Sequence, residues 1–280
     1  MAKPSFQGLR VLSLESRRST EIATLISNFD GRPTVAPALR EVPLESNAEA
    51  VAFGAALQRG EFDAVIFLTG VGARALLAVI ERAQSKDAFL AALARTKAAV
   101  RGPKPLAVLR EWQVPVWTTA PEPNTWRELL AAIDAKAGDL PRHARVAVQE
   151  YGVSNAELLE GLRARGASVT PVPVYQWALP EDIEPLKRAA VAIARGEIDV
   201  ALFTTGVQVA HLFQIAAGMH LETEVARGLG RAVVASIGPT TSEELHRRGL
   251  SADLEASHPK MGVLVTEAAE RSKELLAAKR

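Results

Sequence analysis

Two short stretches of the chain are apolar without alternation, and each leads into a polar turn that contains a glycine. Residues 64–68 precede Thr69-Gly70-Val71, and residues 200–204 precede Thr205-Gly206-Val207. An unbroken apolar run is typical of a strand that is buried on both faces of a sheet. Apolar residues at helical spacing follow both turns. The pattern therefore predicts one strand–turn–helix unit that occurs twice.

The two copies are parts of a longer repeat. Asp199 lies 136 residues after Asp63, and an Arg-Gly-Glu sequence precedes both. At the same offset Arg101-Gly102-Pro103 matches Ile237-Gly238-Pro239, and at nearly that offset residues 10–15 resemble residues 145–150. Matched landmarks in one order indicate a duplicated α/β unit, which predicts two domains with a ligand cleft between them.

The remaining pattern alternates strands with helices. The other predicted strands are residues 9–14, 98–100, 114–117, 145–149, 233–237 and, weakly, 252–254. The predicted helices start near residues 19, 46, 70, 89, 103, 125, 154, 184, 206, 239 and 262. This alternation favours doubly wound parallel sheets of the flavodoxin type.

Two proline-rich segments interrupt the alternation. Prolines occur at 33, 37 and 43, and again at 171, 173 and 180. Proline at this density favours extended chain over helix, so we expect linkers at 37–43 and 169–180. Residues 1–36 and 181–280 then form one discontinuous α/β domain, into which residues 44–168 are inserted as a second. Two crossings of this kind predict a double hinge that closes around a ligand.

Composition narrows the classes of function. The 33 basic residues nearly balance the 32 acidic ones, giving a net charge of +1. A protein covered in nucleic-acid-binding charge is therefore not expected, and any affinity for anions must be local. There is no cysteine, which excludes disulfides and thiolate sites. The start of the chain is too polar for a signal peptide and no apolar run is long enough to span a membrane, so we expect a cytoplasmic protein.

The turn that begins at Thr69 allows three interpretations. Its sequence fits the G-x-G-x-x-A form of a dinucleotide fingerprint, but the second copy has Gln208 in place of the second glycine. An ordinary tight turn and a turn that binds anions at a helix start remain open. The cluster Thr240-Thr241-Ser242 is equally open between helix capping and ligand binding. We expect Asp63 and Asp199, which precede their strands, to serve in solvation or capping.

Tyr175 lies in the second linker. A phenol held at a cleft wall can donate a proton or a hydrogen bond to a ligand. The alternative is an aromatic residue that packs the hinge beside Trp177. Position alone does not decide between the two.

The linker residues 172–176, the strand end Ile237-Gly238-Pro239-Thr240-Thr241 and the two Thr-Gly-Val turns together resemble the uroporphyrinogen-III synthase family. The inserted α/β layout with two extended linkers is also similar to that family, and the resemblance covers residues 8–269. It implies a cofactor-free lyase of tetrapyrrole biosynthesis, acting as a monomer without metal, membrane or nucleic acid. Its substrate is a linear tetrapyrrole, hydroxymethylbilane, which it closes to uroporphyrinogen III through a spiro intermediate in the cleft, with the last ring inverted and water released.

The resemblance also implies roles for particular residues. Tyr175 is the candidate proton donor for the departing hydroxyl group. The helix starts and strand ends are the candidates for binding the substrate's carboxylates. These are Thr69, Gly70, Val71, Gly102, Gly152, Ser154, Asn155, Thr205, Gly206, Val207, Gly238, Pro239, Thr240, Thr241 and Arg17. The alternative from another class is a diverged, non-catalytic bilobed module that senses or binds a small acidic ligand.

Overall fold

A computed structural model describes residues 3–44, 47–150, 152 and 154–279. Two details of the sequence predictions lie outside these residues: the start of the second predicted helix at Ser46, and the part played by Val153 in the turn at 152–155. The chain forms two compact units. Unit 1 consists of Met1–Arg40 and Ala178–Arg280, and unit 2 of Glu41–Trp177. No helix among the described residues has the length and apolar character needed to cross a membrane.

Strands and helices alternate through most of the chain. The strands are β1 (Arg10–Ser13), β2 (Arg32–Val35), β3 (Arg40–Pro43), β4 (Ala64–Phe67), β5 (Lys97–Val100), β6 (Val116–Thr119), β7 (Arg145–Gln149), β8 (Ser168–Val172), β9 (Tyr175–Ala178), β10 (Val200–Phe203), β11 (Val233–Ser236) and β12 (Leu254–Glu255). The helices are α1 (Ser19–Asn28), α2 (Ala48–Gln58), α3 (Gly70–Ala83), α4 (Lys86–Ala94), α5 (Pro103–Glu111), α6 (Trp126–Asp134), α7 (Ala156–Ala164), α8 (Glu184–Ala194), α9 (Gly206–Gly218), α10 (Glu222–Arg231), α11 (Pro239–Arg247) and α12 (Met261–Ala278).

Each unit is built on one parallel sheet. The strand order is β12-β11-β10-β1-β2 in unit 1 and β6-β5-β4-β7-β8 in unit 2. At the offset of the sequence repeat, β10 matches β4 and β1 matches β7, so the two sheets agree strand for strand. If the five strands of unit 1 are renumbered 1 to 5 as they occur along the chain, their order across the sheet from β2 to β12 is 2-1-3-4-5. This is the flavodoxin order. The predicted fold class is confirmed.

Helices cover both faces of each sheet. Successive residues of a strand point to opposite faces, so neighbouring apolar residues pack into different cores. In unit 1 Leu12 and Phe203 pack in one core with α8 and α9, while Val11 and Leu202 pack in the other with α1 and α12. Unit 2 likewise has separate cores on the two faces of its sheet. This burial on both faces explains the unbroken apolar runs in the sequence.

The proline-rich segments contribute strands. Residues 169–172, predicted as part of a linker, belong to β8, which pairs with β7 at the edge of the sheet in unit 2. The backbone N–H of Ser168 donates to Ala144 O, and every second N–H of such a strand faces its neighbour. Pro171 falls on the outward side, where no N–H is needed. Pro33 occupies an outward position in β2, and β3 and β9 form a separate two-stranded sheet.

Asp199 and Asp63 have more specific roles than the predicted solvation or capping. Asp199 binds the guanidinium of Arg10, with Oδ1 2.8 Å from Nη2, and also accepts the Arg10 backbone N–H. Asp63 binds Arg145 in the same way, its Oδ2 lying 3.3 Å from Nε and 2.7 Å from the backbone N. Each pair ties together the amino ends of two neighbouring strands at the centre of its sheet.

Replacing Asp63 by asparagine is expected to make stability less dependent on pH. The hydrogen bond from the Arg145 side chain lowers the pKa of the Asp63 carboxyl below its usual value. The ionised form therefore stabilises the fold above the unfolded pKa of about 3.9, and this contribution disappears as the pH falls through the lower folded pKa. Urea unfolding should show Asp63→Asn to be less stable by about 1 kcal/mol at pH 7. An equal deficit at pH 2 would contradict this account.

Candidate functional site

The carboxyl edge of an open parallel sheet is the usual place for a ligand, at the point where the connections to neighbouring strands diverge. That point lies between β1 and β10 in unit 1, and between β7 and β4 in unit 2. In unit 1 the predicted binding residues after these strand ends and after β11 are Arg17, Thr205, Gly206, Val207, Gly238, Pro239, Thr240 and Thr241. In unit 2 those after β4, β5 and β7 are Thr69, Gly70, Val71, Gly102, Gly152, Ser154 and Asn155.

Two helix starts at these edges present backbone donors. Within the described part of the chain, the N–H groups of Gly70 and Val71 have no hydrogen-bond acceptor, and neither have those of Gly206 and Val207. Val71 also has 41% of its surface exposed, although it is apolar. Free N–H groups at the start of a helix bind anions, because the helix dipole adds a partial positive charge.

The first glycine of each turn has a packing role. A Cβ on Gly70 would lie 2.9 Å from the carbonyl oxygen of Lys104 in α5. A Cβ on Gly206 would lie 3.2 Å from the Cβ of Glu244 in α11. Glycine thus lets the helix after the strand approach its neighbour closely, and the recurrence of Thr-Gly-Val follows from packing as well as from any ligand.

The second glycine, Gly72, faces a side chain of its own unit. A Cβ there would overlap with Nε2 of Gln149, which is 1% exposed and comes from the end of β7. In a dinucleotide site, the absence of a side chain at this glycine lets the pyrophosphate approach the backbone. Gln149 occupies that space in this protein. Core packing therefore explains the glycine at position 72, and the position of Gln149 argues against a dinucleotide site.

Gly72→Ala is expected to reduce the free energy of unfolding by about 1–2 kcal/mol, because the added methyl group displaces a buried side chain. The double variant Gly72→Ala with Gln149→Ala should recover part of this loss. A thermodynamic cycle from denaturant unfolding of the four proteins measures the coupling. Additive effects of the two substitutions would show that the carboxamide and the glycine do not constrain each other.

Two carboxylates at the edges were not predicted as site residues. Glu15 Oε1 accepts from the backbone N of Arg17 at 3.1 Å, and Oε2 accepts from the Thr204 hydroxyl at 2.6 Å. Glu150, only 8% exposed, accepts from the Ser154 hydroxyl at 2.6 Å. The available signal was the repeat itself, since residues 10–15 and 145–150 both end in glutamate. Glu15 thus holds the turn that follows β1, and Glu150 binds the residue just before the N-cap of α7.

Several predicted binding residues stabilise helices or turns. Thr69 Oγ1 accepts the backbone N–H of Gly72 at 3.0 Å, and Asn155 Oδ1 accepts that of Leu158 at 2.8 Å. Both are helix N-caps. Thr241 is buried, with 3% of its surface exposed. Capping therefore accounts for the side chains of Thr69 and Asn155, while the backbone donors beside Thr69 stay available.

Tyr175 belongs to β9 and to the core of unit 2, with 4% of its surface exposed. Its ring meets the ring of Trp177 edge to face, with centroids 5.7 Å apart. The Tyr175 carbonyl accepts the N–H of Gly152 at 3.3 Å. Gly152 has a φ of 75°, and a Cβ at this position would overlap with the Trp177 indole. The structure shows Tyr175 packed against Trp177, and its role as proton donor stays a prediction.

Comparison with known proteins adds independent information. The family model described as uroporphyrinogen-III synthase HemD matches residues 20–266. The chain belongs to this family. A putative uroporphyrinogen-III synthase of Methanothermobacter thermautotrophicus is 30% identical over 240 residues, which cover 84% of this chain and 87% of the relative. An uncharacterized protein of Bacillus subtilis, YjjA, is 32% identical over 265 residues, covering 94% of this chain and 96% of that protein.

Family membership extends to the three-dimensional fold. A crystal structure of a mutant uroporphyrinogen III synthase from Thermus thermophilus aligns with a TM-score of 0.73, covering 95% of this chain and 99% of the other. Its sequence is 24% identical, so it supports the fold of this family member. The resemblance inferred from the short motifs is confirmed.

Proposed function

We propose that this member of the uroporphyrinogen-III synthase family converts hydroxymethylbilane into uroporphyrinogen III as a cofactor-independent lyase. The observation that supports this most directly is the matched pair of carboxyl edges, each with a helix start whose N–H donors have no acceptor among the described residues. A duplicated donor-rich edge suits a substrate that carries carboxylates on every ring.

Binding would rely on backbone donors. The substrate carries two carboxylates on each pyrrole, while the chain's net charge is only +1. The helix starts at Gly70 and Gly206 provide donors and a partial positive charge without a cluster of cations. The exposed Val71 supplies an apolar contact for the face of a pyrrole ring.

The chemistry begins when water leaves the hydroxymethyl end to give an electrophilic azafulvene. The substituted carbon of the terminal ring attacks it, and a spiro intermediate forms. That intermediate fragments and closes again with the ring reversed. The protein's contribution is to fold the linear substrate so that the correct carbon lies within attack distance, and to keep bulk water away from the azafulvene.

The product isomer is the deciding measurement. The purified chain is supplied with hydroxymethylbilane, and the products are oxidised and separated chromatographically as isomers I and III. Isomer III in excess over the protein-free reaction supports the proposal. Isomer I alone, as in uncatalysed closure, would overturn it. In that case, saturable binding of hydroxymethylbilane without turnover would favour the non-catalytic binding module.

Tyr175→Phe is expected to slow formation of isomer III by about a hundredfold, because the hydroxyl would no longer assist departure of water. The ring and its contact with Trp177 remain, so the melting temperature should change little. Trp177→Phe is the matched control, since it alters the packing partner and keeps the hydroxyl. If Tyr175→Phe retains the full rate, Tyr175 acts only in packing.

A further inference from the structure

Unit 2 contains an apolar cavity of ≈ 120 Å³ at the amino ends of β4 and β7. Its inner wall consists of Ala64, Ile66 and Val146 from the strands, with Ile133 of α6 and Leu162 of α7. These five side chains are each at most 6% exposed. The cavity lies on the edge of the sheet opposite to the proposed substrate edge, so its role is separate from the proposed function.

The internal repeat shows what kind of group fits there. Gly8 and His143 occupy matching positions and both have a left-handed backbone, with φ of 80° and 61°. Two residues later, Arg10 and Arg145 bind matching aspartates. At this register Phe6 in unit 1 matches Pro141 in unit 2.

In unit 1 the corresponding space is filled. Phe6 is fully buried and packs in one core with Ile26, Val200 and Leu202. At the offset of 136 found for the strand–turn–helix units, these residues correspond to Leu162, Ala64 and Ile66 of the cavity wall. Unit 2 therefore lacks the benzyl group that unit 1 provides for itself, and Pro141 lines the cavity from an exposed position.

The size of the cavity agrees with this comparison. An enclosed apolar cavity of roughly 150 Å³ accepts a benzene ring, and this cavity, at ≈ 120 Å³, is close to that size. Two alanines enlarge the space relative to unit 1, where Val200 stands for Ala64 and Leu9 for Ala144. A single six-membered ring is the group that the wall can enclose.

The mouth of the cavity is basic. Arg165 Nε lies 2.6 Å from Asp134 Oδ1, so this ion pair neutralises the charge of Arg165. Arg142 and His143 also line the cavity, and within the described residues they form no hydrogen bond or ion pair. We propose that the cavity binds a small monocyclic aromatic carboxylate, with the ring against Ile66 and Leu162 and the carboxylate beside Arg142 and His143.

The test uses the full chain, benzoate as the probe, and ¹³C-methyl NMR. Benzoate is expected to shift the methyl signals of Ile66, Ile133 and Leu162 and to saturate in the millimolar range. Acetate, which has the charge without the ring, should leave them unchanged. Toluene, which has the ring without the charge, should shift the same methyls. Benzoate shifts that are absent, or that occur elsewhere, would overturn the proposal.

Two groups of variants separate the ring from the charge. Pro141→Phe supplies the side chain of unit 1 and should weaken benzoate binding at least tenfold. Ala64→Val introduces the residue found at the matching position of unit 1, Val200, and also narrows the cavity. It provides an independent test if the Pro141→Phe protein folds poorly. Arg142→Gln should weaken benzoate by up to about fivefold and leave toluene unaffected, as expected for an exposed ion pair. Undiminished benzoate binding in a folded Pro141→Phe or Ala64→Val protein would refute the assignment.

Discussion

Replacing Gly228 by alanine is expected to remove about 3 kcal/mol from the stability of unit 1, the upper end of the usual cost of overpacking. Gly228 lies in α10, where it crosses α8. A Cβ would overlap with the carbonyl oxygen of Ile193 and lie 2.7 Å from its carbonyl carbon. Those are backbone atoms of a helix whose Ile193 side chain is 2% exposed, so they cannot move aside without repacking the core.

The same helix offers a matched control. A Cβ on Gly230, two residues further on, meets nothing within 4 Å. Gly230→Ala should therefore stabilise the protein by up to about 1 kcal/mol through helix propensity alone. Urea unfolding followed by circular dichroism measures both variants. Similar effects for the two substitutions would mean that the contact between α8 and α10 does not require glycine.

Phe6→Ala is expected to cost about 3–5 kcal/mol, the usual range for removing a buried phenylalanine ring. Phe6 is fully buried, and its backbone N–H donates to Phe29 O at 2.6 Å, so the ring is held in place from the main chain. The substitution would open in unit 1 a space like the one that unit 2 already has. Benzene added to the variant should then raise its melting temperature.

Phe6→Leu is the control for this prediction. Leucine keeps most of the apolar volume, so the loss should be no more than about half that of alanine. Both variants keep the backbone N–H that donates to Phe29 O, so differential scanning calorimetry of the two, with and without benzene, measures the loss of side-chain packing alone. Equal destabilisation by leucine and alanine, with no response to benzene, would mean that the ring itself contributes little.

Much of the fold was predictable because both sheets are buried on both faces. The apolar runs at 64–68 and 200–204 identified the central strands, and the offset between them aligned the two sheets. The edge strand β8 was assigned to a linker instead, because Pro171 and Pro173 suggested extended chain. Proline in an edge strand removes only an outward N–H, and sequence does not reveal which side of a strand faces outward.

The site was harder to predict because its contacts join distant parts of the chain. The bond between Glu15 and Thr204 spans 189 residues. The glycine at 72 was read as a possible ligand contact, while its neighbour Gln149 comes from a strand that is far away in sequence. The chemical type of a residue can be recognised from the sequence alone. The reason for a glycine, however, depends on which distant residue the fold places beside it.

The arrangement of Gly72 and Gln149 limits which parts of the two halves could be exchanged. In unit 1 the matching positions hold Gln208, whose side chain binds Thr204, and Leu14. One half carries its carboxamide on the strand and the other on the helix. A chimera that joined the strand of one half to the helix of the other would bring two glutamines together or none. Exchanging the strand or the helix between the halves therefore requires a compensating change at the partner position.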